Sequence, residues 1–185
     1  MELNWSLTLS SPLSNDNTYI HLNNHMKTLT HICRYTLCTY DELSEQDRLL
    51  IDMAKQATER SYAPYSQFHV GAAVLLDDGN IITGTNQENA AYPSGMCAER
   101  TALFHAGAAH PNTAVVALAI AAYTDGSFTR TPVAPCGACR QVMLEVENRH
   151  QHPIRILLYG TESIYIIEEG IRQLLPISFD ASYMG

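Results

Sequence analysis

The chain has 185 residues, 46% of them hydrophobic and 16% charged, which is enough for one well-buried domain and short for two. A formal net charge of −8 works against unaided binding to a phosphate backbone. The longest apolar run, Ala114 to Tyr123, is too short to span a bilayer, and Met1-Glu2-Leu3-Asn4 opens neither a secretory signal nor a transit peptide. With five cysteines, of which only Cys33 and Cys38 lie outside the motifs described below, a reducing compartment is expected, and with it a cytoplasmic protein without nucleic-acid or membrane partners.

Residues 1–39 read as an N-terminal extension and 40–185 as the catalytic domain. Ser10-Ser11-Pro12-Leu13-Ser14-Asn15-Asp16-Asn17-Thr18 has no period to bury, so mobility is expected to about residue 25. Ser44 to Asp47 resembles a capping box, and Leu49, Leu50, Met53, Ala54 and Ala57 recur at helical spacing, predicting a helix to about Arg60. His69–Leu76 and Ile81–Thr85 read as strands joined through Asp77-Asp78-Gly79-Asn80, a hairpin signal because Gly accepts positive φ. Pro93-Ser94-Gly95 breaks the chain before a helix over Met96–His110. Ala114–Ala122 is the apolar run of a strand covered on both faces. A helix over Cys136–Arg149, strands at Ile154–Tyr159 and Ser163–Ile167, and a short helix near Glu168–Leu175 complete the order. Gly160-Thr161-Glu162 is too short for a parallel crossover, so the last two strands should pair antiparallel. The expectation is an α/β three-layer sandwich, with a mixed five-stranded sheet between helices.

Chemistry concentrates in Cys97-Ala98-Glu99 and Pro135-Cys136-Gly137-Ala138-Cys139. Cysteines three apart at a helix start present both sulfurs to one ion, Cys97 brings a third thiolate from a second helix start, and Glu99 can reach the remaining open side. Helix-start N–H groups favour thiolate over thiol, and Arg100 and Arg140, each close to a ligand, offset further negative charge. Three ligands and an open position describe a hydrolytic zinc site, where water becomes acidic enough to ionise near pH 7 and Glu99 moves the protons. A closed structural site would need a fourth ligand, from Cys33 or Cys38. A C-x-x-C redox pair would be expected to open a thioredoxin-like βαβ unit, and this one does not. His69, His105, His110, His150 and His152 stand outside any ligand spacing.

The motifs Ser61-Tyr62-Ala63-Pro64-Tyr65-Ser66, Phe68-His69-Val70-Gly71-Ala72-Ala73, Asn86-Gln87-Glu88-Asn89-Ala90, Cys97-Ala98-Glu99-Arg100-Thr101 and Pro135-Cys136-Gly137-Ala138-Cys139-Arg140-Gln141 together resemble the small homotetrameric, zinc-dependent cytidine deaminases of free nucleosides, over about Tyr40 to Phe179. The resemblance implies a cytidine deaminase-like fold and one Zn2+ per subunit on Cys97, Cys136 and Cys139, with Glu99 catalytic. It also implies hydrolysis of cytidine and deoxycytidine to uridine and deoxyuridine, with release of ammonia, in pyrimidine salvage.

By the same resemblance Asn86 and Glu88 hold the ribose 3′-hydroxyl, Phe68 packs on the base, the Ala98 N–H meets the 2-oxo group and Arg100 hydrogen-bonds ligand sulfurs. Tyr92 and Phe179 match residues that reach an active site from neighbouring subunits, implying a homotetramer with shared sites. Proteins of this kind usually begin near Met26-Lys27, so residues 1–25 are expected to be dispensable, or to follow from an upstream start wrongly assigned. The alternatives are a deaminase of another aminopyrimidine nucleoside, such as an aminoacyl-nucleoside antibiotic, and a non-catalytic zinc-stabilised protein. Asn86, Glu88 and Phe179 together favour a bare ribose, and Glu99 argues against the non-catalytic reading.

Overall fold

The computed structural model describes residues 20–23 and 26–184, and the chain separates into two compact units, 1–32 and 33–185. In the first, β1 (Ile20–Asn23) and β2 (Met26–Leu29) form an antiparallel pair with Asn23 opposite Met26. Most of the segment expected to be mobile lies outside the described residues.

The second unit is built on a mixed sheet. Its elements are β3 (Thr36–Cys38), α1 (Glu45–Ala57), β4 (His69–Leu76), β5 (Ile81–Thr85), α2 (Ala98–Ala109), β6 (Val115–Thr124), β7 (Ser127–Phe128), α3 (Gly137–His150), β8 (Arg155–Tyr159) and β9 (Ile164–Ile167). The strand order is β3-β9-β8-β6-β4-β5, with β7 paired to β6. β6 runs parallel to β8, with α3 in the crossover, and every other pair is antiparallel, including β8 with β9 across the short link.

The sheet is seven-stranded where five strands are expected. The five are present, and β3 and β7 are short additions. Thr36-Leu37-Cys38 is too brief to show a period, and pairs with Ile164–Ile166, so the sheet takes in residues that the sequence groups with the extension. β7 follows Asp125-Gly126, both at positive φ (51° and 80°), a two-residue hairpin turn that sets Thr124 opposite Ser127. The helix expected near Glu168–Leu175 is a single 3-10 turn, Ile171–Gln173. Gly170 has φ 80°, and a Cβ there would lie 2.6 Å from a Glu147 carboxylate oxygen, so the chain turns tightly at this point before Pro176 ends the next stretch.

Alternation along the strands divides the core between the two faces. Ala73, Leu75, Ala117, Ala119 and Leu157 pack under α1 through Leu50, Ile51 and Ala54. Ala72, Val74, Leu118, Ile120 and Ile156 face α2 and α3 through Ala102, Leu103, Ala106, Met143 and Leu144. The expected three layers are therefore one helix, the sheet, and two helices. Ser44 caps α1, accepting from the Asp47 N–H at 3.1 Å, and Arg155 joins that helix start to β8 through ion pairs with Asp47 and, at 2.7 Å, Glu168.

Gly84 sets the position of α2. A Cβ on it would stand 2.3 Å from the Ala102 nitrogen and 2.5 Å from the Ala98 carbonyl oxygen. Only a bare backbone lets β5 approach the first turn of α2 this closely, and that approach fixes where Cys97 and Glu99 lie.

Candidate zinc and active site

Two helix starts converge on the α2/α3 side of the sheet. Cys97 and Cys136 are N-cap residues with extended backbones, one residue before the helices predicted to contain them, and Cys139 lies in the first turn of α3. Each cap carbonyl accepts the first helical bond, from Thr101 at 3.0 Å and from Arg140 at 2.9 Å. The three sulfurs lie within 4.8 Å of one another, with Cys97 to Cys136 at 3.7 Å and Cys136 to Cys139 at 3.4 Å. Zinc–sulfur bonds of about 2.3 Å in tetrahedral array place sulfurs about 3.8 Å apart, so the cluster has the dimensions of a zinc site. No other group of three His, Cys, Asp or Glu among the described residues is so placed.

The electrostatics agree. Hydrogen bonding from the Cys139 thiol, helped by Arg100, whose Nη2 is 3.5 Å from the Cys97 sulfur, brings Cys97 down to about 5 in spite of its burial. The same pairing, reinforced by burial and by Glu99, pushes Cys139 up. One thiolate is thus ready to bind, and the neighbouring thiol holds the proton that a dication would displace. Glu99, 5% exposed, has its carboxyl raised by burial first and by the charge of Cys97 next. A carboxyl raised in this way can accept and return protons closer to neutrality.

Beside the sulfurs lies a cavity of about 720 Å3, a size suited to a small ligand. Its lining includes Phe68, Asn86, Glu88, Tyr92, Cys97, Ala98, Glu99, Arg100 and Cys136. Ala98 is the first residue of α2, whose leading N–H groups have no acceptor within the helix. The segment 86–88 reaches the site in extended form, held by isolated bridges from Gln87 to Tyr62 and to Met96. Tyr62 N bonds Asn86 O at 3.0 Å and Glu88 N bonds Tyr62 O at 2.8 Å, while Gln87 exchanges bonds of 2.8 and 2.9 Å with Met96, next to Cys97.

Asn86 and Glu88 also grip the loop that carries Phe68. The Asn86 amide donates to Phe68 O and accepts from Val70 N, both at 2.8 Å. Glu88 accepts from Tyr65 N at 2.9 Å, from Ser66 N at 3.3 Å and from the Ser66 hydroxyl, with that hydroxyl bond the main cause of its lowered pKa. Between these anchors Gln67 sits at φ 55°, a costly conformation held from both ends.

The cavity is also lined by Tyr65, Ser66, Ile120, Val133 and Ala134, for which the sequence suggested no role. Tyr65 meets Tyr92 edge-on at 6.1 Å, and its place in the Ser61–Ser66 motif is the signal that could have singled it out. Phe179 does not line this cavity. It is 58% exposed, stacked on Tyr183 at 5.7 Å, and its carbonyl accepts from Gln141 Nε2 at 2.8 Å.

Three cysteine sulfurs that would leave one position of a bound zinc open, a cavity beside them and a buried carboxylate on its wall define the site of a zinc-dependent hydrolytic enzyme built on an α/β sandwich. The family described as "Cytidine and deoxycytidylate deaminase zinc-binding region" matches residues 44–151. A cytidine deaminase of Halalkalibacterium halodurans is 46% identical over 139 residues, 75% of this chain and 97% of that one. One from Sporosarcina psychrophila is 44% identical over 137 residues, 72% of this chain and 93% of that one. Among solved structures, the cytidine deaminase of Burkholderia pseudomallei superposes with a TM-score of 0.60 at 40% identity, covering 74% of this chain and all of that one. That of Mycobacterium tuberculosis gives 0.57 at 33% identity, covering 75% of this chain and 99% of that one. The chain belongs to the zinc-dependent cytidine and deoxycytidylate deaminase family. Among the described residues no helix is long and apolar enough to cross a membrane.

Proposed function

We propose that the protein hydrolyses the 4-amino group of cytidine and deoxycytidine, giving uridine or deoxyuridine and ammonia, and acts in pyrimidine salvage. The observation that carries this reading is Glu99, nine-tenths buried, at the edge of a nucleoside-sized cavity beside three sulfurs with zinc-site spacing. Zinc held by Cys97, Cys136 and Cys139 supplies a Lewis acid that makes hydroxide available at neutral pH. Glu99 takes one proton as water adds to C4 and passes it to ring N3, then takes the second from the new C4 hydroxyl and delivers it to the amine as the C4–N bond breaks. Arg100 keeps the ligand sulfurs anionic. Phe68 packs on the pyrimidine, and the Ala98 N–H donates to its 2-oxo group.

Asn86 retains one amide hydrogen, and Glu88 retains lone pairs, for the ribose 3′-hydroxyl. Two charges of the same sign at that position disfavour a 3′-phosphate, and with it a polynucleotide. Tyr92, 75% exposed, and Phe179, outside its own cavity, support a homotetramer whose subunits complete one another's sites; Ile177 and Tyr183, exposed at 94% and 72%, are further large apolar side chains of the segment that bears Phe179. A reducing, cytoplasmic setting suits three cysteines without disulfide partners, of which Cys136 is exposed.

An ultraviolet assay with cytidine, deoxycytidine, cytosine, cytidine monophosphate and a short oligonucleotide, with zinc measured on the same sample, tests the reading. Turnover of the two nucleosides alone, at one zinc per chain, is expected. Activity confined to the oligonucleotide, or zinc-loaded protein inert to every substrate, would overturn it. Sedimentation velocity tests the tetramer, and a concentration-independent monomer would remove the shared site.

A further inference from the structure

The first turn of α3 carries two side chains that the reaction as proposed does not use. Arg140 follows Cys139 directly. Its Nε donates to the carbonyl of Pro135 at 2.8 Å, one residue before Cys136, and its Nη1 donates to the carbonyl of Leu174 at 2.7 Å, in the C-terminal segment. Gln141 continues the grip, with Nε2 on the Phe179 carbonyl. Leu174 and Leu175 pack against the core at the start of the segment, and beyond them its polar ties are internal, Arg172 reaching Ser178 Oγ at 3.2 Å and Asp180 at 2.8 Å, with Asp180 in turn capping the turn at Ser182. One guanidinium therefore spans the loop that presents a metal ligand and the segment that presents Phe179. A planar fork with several donors can hold two carbonyls at once, and an ammonium cannot hold them in this geometry.

We propose that Arg140, seconded by Gln141, is a positioning residue that couples metal ligation at Cys136 and Cys139 to the placement of the C-terminal segment bearing Phe179. An ion on the two sulfurs fixes the first turn of α3, the turn fixes the guanidinium, and the guanidinium fixes Leu174. Loss of metal loosens the segment, and loss of the segment loosens the Pro135–Cys136 loop. The inference rests on zinc ligation by the three cysteines and on the role of Phe179 in a neighbouring site.

Amide hydrogen exchange on the full-length protein reads the link directly. In zinc-loaded wild-type protein, peptides covering 174–184 are expected to be protected, and stripping zinc with a chelator is expected to speed their exchange about ten-fold, together with 135–141. Zinc-loaded Arg140→Ala should show fast exchange at 174–184 without metal removal, and about ten-fold weaker zinc binding in competition with a chromogenic chelator, as for other partners that orient ligands. Arg140→Lys should restore part of each effect. Gln141→Ala should loosen 174–184 less than Arg140→Ala does, and should weaken zinc binding correspondingly less, as reciprocal coupling requires.

Wild-type protection at 174–184 in zinc-loaded Arg140→Ala, with wild-type zinc affinity, overturns the coupling. A wild-type protein without zinc, or Phe179→Ala with unchanged KM in a tetramer, strikes instead at the reading on which it rests. Should Arg140→Ala fail to fold, by circular dichroism, the stripped wild-type protein and Arg140→Lys decide the question.

Discussion

The two helix starts that supply the thiolates are built to different standards. At α2 everything is packed: Ala98 is fully buried, Glu99 nearly so, and β5 touches the helix backbone through Gly84. At α3 Cys136, Gly137 and Ala138 are exposed, nothing lies within 4 Å of where a Gly137 Cβ would stand, and the turn is held by side chains reaching to distant carbonyls. Glu99, the proposed proton carrier, belongs to the packed start, where a small displacement would cost most in rate. Two of the three ligands belong to the open one, which an arriving ion can order.

The contrast can be broken in several places. Glu99→Ala should give the largest effect, a loss of kcat of about 10^4-fold with zinc content and fold retained, since the carboxylate serves several proton transfers; steady-state kinetics beside metal analysis will show it, and retained turnover would remove the carboxylate from the mechanism. Cys136→Ala should abolish zinc binding and lower the melting temperature through lost ligation, while an unchanged zinc content would exclude it as a ligand. Gly84→Ala should destabilise the protein by about 1–3 kcal/mol, since helix and strand must separate, whereas Gly137→Ala, with open space and helical backbone, should stabilise by about 0.4–1 kcal/mol through the unfolded state. Equal effects of the two glycine substitutions on thermal unfolding would show that the packing difference carries no energy.

The smallest effect is on acidity. Asp180 accepts from Ser182 and from Arg172, and its pKa falls from the usual 3.8 to about 2. A carboxylate with a depressed pKa contributes above the unfolded value and is lost as pH falls through the folded one. The C-terminal segment should therefore become susceptible to pepsin between about pH 4 and 2, earlier than the packed start of α2. Simultaneous cleavage would show that this clamp contributes nothing.

The sequence exposed the site more readily than its surroundings. Cysteine spacing and the carboxylate two residues on are local patterns, as are the apolar run of β6 and the Asp-Gly turn after β4, so each could be read from a few adjacent residues. The Asp125-Gly126 turn carries an equally local signal, but the two residues of β7 after it are too few to show a strand period. β3 could not be read, because three residues become a strand only through β9, more than a hundred residues away. The hold on the Tyr65-Ser66 loop is hidden for the same reason, since Glu88 grips it from 23 residues downstream. Gly170 ended the last expected helix by geometry, for the residues around it suit a helix well enough.

The double employment of Glu88 limits how this pocket can be altered. If Glu88 meets the sugar as proposed, a carboxylate that also holds the Tyr65–Ser66 backbone cannot be exchanged to admit a bulkier or phosphorylated ribose without releasing the loop under Phe68. New sugar preferences are therefore reached only through paired changes, one to reshape the contact and another to restore the turn. Selection for altered substrates from single substitutions should return changes at Tyr65, Val133 or Ala134 before it returns any at Glu88.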